Sequence, residues 1–104
     1  MALTSKQRAY LQGLAHDKDP VVLIGHKGIT ASVIAEAANA LLAHELIKVR
    51  LADGDDDGQQ ILAEGTRAEV VARLGRVVIL YKQHPQKPKI KLPRTKKKKT
   101  LEDQ

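Results

Sequence analysis

Cysteine, phenylalanine and tryptophan are missing from these 104 residues, and Tyr10 and Tyr81 are the only aromatics. The absence of cysteine excludes disulfides and thiolate metal sites. Domains that read single-stranded nucleic acid on a sheet stack bases on aromatic side chains. A chain this poor in aromatics is better suited to gripping backbones and reading shape. No apolar run approaches the roughly 18 residues of a membrane span, so no membrane partner is expected. Met1 to Lys18 lacks the charged, apolar and small-residue series of a signal peptide, and a cytoplasmic location is the expectation.

What is present is enough for one domain. Hydrophobic residues make up 42% of the chain, chiefly Leu, Val, Ile and Ala, which supplies a single core. The formal net charge is +6, but it is unevenly placed. Residues 1–81 hold nine Lys/Arg against ten Asp/Glu, whereas residues 82–104 hold nine against two. The first part is therefore nearly neutral, and the high isoelectric point belongs to the C-terminal segment.

Periodicity gives the element order α-β-α-β-α-β-β. Thr4 and Gln7 form a capping box for a first helix with candidate apolar residues Leu3, Ala9, Tyr10, Leu11, Leu14 and Ala15. Val21 to Ile24 is a continuous apolar run, which reads as a strand covered on both faces. Thr30 caps an alanine-rich helix reaching about His44, with rows Val33-Ala37-Leu41 and Ile34-Ala38-Leu42. Glu45 to Ala52 alternates as a strand with one polar face. A short helix to about Thr66 turns Ile61, Leu62 and Ala63 inward. Val70–Leu74 and Arg76–Tyr81 form a hairpin around Gly75. Helix-containing connections make parallel crossovers and the hairpin adds an antiparallel strand. The fold class is α/β: one domain with a mixed four-stranded sheet packed by helices. Residues 1–94 are expected to fold, and 95–104 to form a disordered basic tail.

The segment richest in chemistry is Gly25-His26-Lys27-Gly28, a G-x-x-G loop between a strand and a helix start. Glycines let another backbone approach closely, and the first turn of a helix offers unpaired amides and a positive dipole end. Lys27 adds a charge, so the loop suits an anion, and a nucleic-acid phosphate is the expected one. Gly25, Lys27 and Gly28 are the candidate clamp, with His26 able to hydrogen-bond or stack. Lys48 and Arg50, two apart on one strand face, are candidates to extend the site. Lys96, Lys97, Lys98 and Lys99 would add salt-dependent affinity.

A second motif competes. Asp53-Gly54-Asp55-Asp56-Asp57-Gly58 with Glu64 fits the calcium-loop pattern D-x-D-x-D-G-x5-E. Against it stand an incoming strand where a helix is needed and Gln60 at the usual β-branched position. Acidic residues at a helix start are also favoured without metal. A calcium-responsive interaction protein is the alternative reading. A metal-dependent nuclease holding Mg²⁺ on Asp53 to Asp57 is weaker still, since a solvated acidic loop explains those residues, and no nucleophile-and-histidine arrangement for covalent catalysis stands out. No enzyme activity and no cofactor are expected.

Ordered blocks along residues 4 to 94 resemble the CRM domain, and most closely its stand-alone bacterial YhbY-type members. They are Lys6-Gln7, Leu11-x-Gly13-Leu14-Ala15-His16, Pro20 to Gly25-x-x-Gly28-Ile29-Thr30, His44 to Val49, Gly75 to Lys82, and Lys89 to Pro93. The resemblance implies a fold like the C-terminal domain of translation initiation factor three. It implies RNA binding through the G-x-x-G loop and nearby basic surface, akin locally to the KH clamp. For the bacterial members it implies association with precursors of the large ribosomal subunit. A monomeric RNA-binding protein that assists assembly of that subunit, with ribosomal RNA as partner, is the resulting expectation. Two departures stand out. The stretch from Ala52 to Gly75 is about one helical turn shorter than the family norm. Arg67 stands where the family usually has glycine; it faces a strained left-handed cap unless Gly65 ends the helix earlier.

Overall fold

A computed structural model describes residues 3–25, 27–52 and 57–93. His26, Asp53 to Asp56 and everything from Arg94 onward lie outside the described residues, including Lys96, Lys97, Lys98 and Lys99. The chain runs α1 (Ser5–Ala15), β1 (Val22–Leu23), α2 (Ala31–His44), β2 (Leu46–Arg50), α3 (Gly58–Thr66), β3 (Glu69–Leu74) and β4 (Val77–Tyr81). The sheet order is β1-β2-β4-β3. β1 is parallel to β2, while β4 is antiparallel to both β2 and β3. β3 thus keeps the direction of β2 with β4 inserted between them. This is the expected mixed four-stranded α/β sheet.

Each helix starts and stops for a local reason. Thr4 and Gln7 make both hydrogen bonds of the capping box, at 3.1 and 3.0 Å. The Thr30 hydroxyl accepts from the Val33 amide at 3.2 Å and opens α2. Gly75, with φ +63°, is the first of two turn residues between Leu74 and Val77; its conformation closes the β3–β4 hairpin.

The sheet has a core on each face. Val22, Ile24, Ile47, Val49, Val78 and Leu80 meet α2 and α3 through Ala37, Leu41 and Leu62. Leu46, Val71, Ile79 and Tyr81 meet α1 through Leu3, Leu11 and Ala15. Ile90 and Leu92 pack against this second cluster. The segment after β4 is therefore a strap laid on the domain, though it forms no regular element.

Several apolar positions differ from expectation. β1 is two residues long and buries only alternate side chains, Val22 and then Ile24, leaving Val21 and Leu23 exposed. It lies at the sheet edge, and its second face has no helix over it. On α1, Ala9, Tyr10 and Leu14 face solvent; one short helix crossing a sheet needs only the Leu11–Ala15 stripe. Leu42 and Ile61 also point outward. β2 lacks the simple polar face expected of it, because α1 covers its Leu46 end and Lys48 is half-buried. Arg67 adopts φ 62° and ψ 35° as the C-cap of α3, so the helix does not end early at Gly65.

Candidate nucleic-acid interface

The loop after β1 is held from both sides. Ile24 anchors its entry in the core, and its amide donates to the Arg50 carbonyl at 3.0 Å. Ile29 packs against the same core at its exit. Between them the Gly28 amide donates to the Gly25 carbonyl at 3.0 Å, so the G-x-x-G segment is a closed turn. Gly28 has φ +79°, a conformation glycine adopts freely. Gly25 needs no such freedom. A Cβ built on either glycine meets nothing within 4 Å, so the main chain is open to an approaching group. Thr30 caps α2 two residues on, and no acidic residue occupies the first turn of that 14-residue helix. Its positive end is therefore not neutralised from within. Lys27 is exposed and has no hydrogen-bond or ion-pair partner among the described residues.

The other expected cations are not equivalent. Arg50 is exposed at the end of β2. Lys48 turns instead to the end of α1, donating to the carbonyls of His16 and Lys18 at 3.3 and 2.9 Å. It belongs to a set that the sequence reading missed. Lys89 Nζ donates to the Ala43 carbonyl at the end of α2, and Lys82 Nζ to the Thr66 carbonyl at the end of α3, each at 3.0 Å. All three helices thus finish against a lysine ammonium, which satisfies carbonyls left without intrahelical partners and opposes the negative dipole end. Arg8 bonds the Val70 carbonyl beside the register shift in β3. These four charges serve the fold; Lys27 and Arg50, beside the loop, have no such partner among the described residues.

Glu45 is another residue whose role was not anticipated. It is fully buried at the α2–β2 junction with φ 64°. Its carboxylate accepts from the amides of His84, Lys89 and Ile90 at 2.8, 2.8 and 2.7 Å, and so holds the strap. Burial pushes its pKa up, but the three amide donors and the nearby charge of His84 outweigh this and hold it below the ordinary carboxylate value. Burial, together with the Glu45 charge, raises the pKa of the Tyr81 phenol. A carboxylate within the run His44-Glu45-Leu46-Ile47 was the available signal, since a buried acid demands donors.

The calcium motif does not form a calcium loop where it is described. α3 already begins at Gly58, so the sixth and later positions of the motif are helical, their carbonyls directed along the helix. Glu64 lies within α3 and accepts from Gln60 Nε2 at 3.0 Å. No group of three or more potential metal ligands occurs among the described residues. Among the same residues, no helix is long and apolar enough to cross a membrane.

The family model of the CRS1/YhbY (CRM) domain matches residues 3–82. The chain belongs to this family. It is similar to a Haemophilus influenzae protein named "RNA-binding protein", 42% identical over 96 residues, covering 88% of this chain and 96% of that one. It is similar also to the Bacillus subtilis "Probable RNA-binding protein YqeI", 34% identical over 95 residues and covering 88% and 99% of the two chains. The solution structure of a hypothetical protein from Staphylococcus aureus superposes with a TM-score of 0.73 at 36% identity, covering 88% of this chain and 99% of its own. The residues matched by the CRM model include Gly25–Gly28 and all four strands.

Proposed function

We propose that this CRM protein is a non-catalytic RNA-binding module that holds a sugar-phosphate backbone at Gly25–Gly28. The observation that carries the reading is the closed glycine turn with open space over both glycines, beside a helix start with no acidic residue in its first turn and a Lys27 ammonium that has no partner among the described residues. A phosphate seated there meets main-chain amides and one cation, while the missing side chains let the ribose approach. Arg50 supplies a second charge near the loop, and His26 a further polar contact. The lysines from Lys96 to Lys99 add sequence-independent attraction. Lys48 contributes only to the surrounding field, its donors being engaged with α1. The relatives named as RNA-binding proteins support the ligand class.

The RNA we propose is ribosomal, within a precursor of the large subunit. The protein would act as a monomeric assembly factor in the cytoplasm. Crosslinking in cells followed by sequencing of the bound RNA tests this: large-subunit precursor fragments are expected, and enrichment of unrelated transcripts would refute it. For the site itself, Lys27→Ala should weaken binding of a paired RNA hairpin and reduce the salt slope by about one. Unchanged affinity and slope would refute the loop assignment.

A further inference from the structure

Strand register places Leu23, Arg50, Val77 and Leu74 in one row across all four strands, on the sheet face that carries α1. α1 covers the rows containing Leu46, Tyr81 and Ile79 and stops short of this one. Leu23 is 68% exposed and Leu74 55%, Arg50 is exposed between them, and Val77 is half-buried. Three inter-strand gaps make the row about 14 Å long. Its β1 end is continuous with the glycine turn, since Leu23 precedes Gly25 by two residues, about 7 Å of strand. Among the described residues no element covers this row, so its apolar side chains and Arg50 are available to a ligand.

We propose that this row receives unpaired nucleobases of the RNA whose backbone the Gly25–Gly28 turn holds. The protein would thus select a stem interrupted by a bulge or a single-stranded end over a continuous duplex. The inference rests on the backbone-holding reading above and names the class of RNA. The row's chemistry fits bases in three ways. A base has a flat, uncharged face that leucines can cover, and acceptor edges that suit Arg50, a planar donor that also stacks. The row contains no carboxylate that would repel RNA. It has no aromatic platform, so each base gains less than in an RRM and the backbone grip at the turn must provide the anchor.

The test uses the full chain and two RNA hairpins, one with a fully paired stem and one with three unpaired purines in the same stem. The unaltered protein should bind the bulged hairpin about tenfold more tightly, a difference carried by covering base faces with the leucines and by stacking on the Arg50 plane. Leu23→Ser with Leu74→Ser should erase that preference while leaving affinity for the paired stem unchanged. Both leucines are exposed, so the fold should persist; matching circular dichroism and melting curves establish this. Arg50→Lys keeps the charge and loses the plane; it should reduce the preference without altering the salt slope. Equal binding of the two hairpins by the unaltered protein would overturn the proposal. So would a preference that survives the leucine substitutions, which would leave the row open to a protein partner. Lys27→Ala separates this from the parent reading. Loss of affinity for both hairpins supports the backbone grip. No loss for either, with the leucine effect intact, refutes the grip and keeps the base-binding row.

Discussion

At the residue scale, the same side-chain type serves different ends according to where the backbone ends its hydrogen-bonding. Lys27 and Lys48 are both lysines beside the sheet. One has no partner among the described residues, and the other satisfies two carbonyls past the end of α1. Lys48→Ala should therefore lower stability by about 1 kcal/mol in urea unfolding, whereas Lys27→Ala should change it little. Glu45 makes a stronger demand. Replacement by Gln removes the charge from three amide bonds and should cost about 2 kcal/mol. Because folding lowers this carboxyl's pKa, its contribution is present above the unfolded value, near 4.5, and fades as pH falls through the lower folded value. Stability measured across acid pH should show that loss in the parent protein and a weaker one in Glu45→Gln. Arg67 has the opposite character. Its left-handed conformation is one glycine adopts without penalty, so Arg67→Gly should stabilise the domain by about 1 kcal/mol, read as a rise in melting temperature.

At the element scale, α3 survives two glycines because one of them is a packing device. A Cβ on Gly65 would sit 2.9 Å from Ile34 Cδ1 and 3.0 Å from its Cγ2, so α3 lies against α2 where a side chain would not fit. Gly65→Val should destabilise by about 1–3 kcal/mol, and Ile34→Ala in the same chain should recover part of it in a double-mutant cycle. Composition alone counts Gly65 as a helix weakness. Only the neighbouring helix turns it into a requirement, and that neighbour is remote in sequence. β1 was misread for a related reason. A short continuous apolar run has no period, so Val21 and Leu23 cannot be told from Val22 and Ile24 until the sheet order puts the strand at an edge. Capping and turn signals are local, and there the sequence sufficed: Thr4 with Gln7, Thr30 and Gly75 all act as their residue types imply. The strap was invisible because Glu45 bonds main-chain amides 39 to 45 residues away, which have no side-chain signature.

At the scale of the whole molecule, charge and shape divide the work. The nearly neutral domain presents the open main chain of the Gly25–Gly28 turn. The excess positive charge follows β4, and Lys82 and Lys89 within that segment are already engaged at helix ends. Removing residues 95–104 should weaken paired and bulged RNAs alike and flatten the salt dependence. It should leave any discrimination between them intact, since that is assigned to the folded part. The loop was legible from sequence as a motif, but its openness was not. That depends on Ile24 and Ile29 fixing both ends of the turn and on no neighbour among the described residues filling the space above the glycines. The most direct measurement is an amide chemical-shift titration of the full chain with the bulged RNA hairpin. The account predicts that Gly25, Lys27, Gly28 and the first turn of α2 respond first and saturate together. Silence at those amides, with the response confined to the far side of α1, would contradict it.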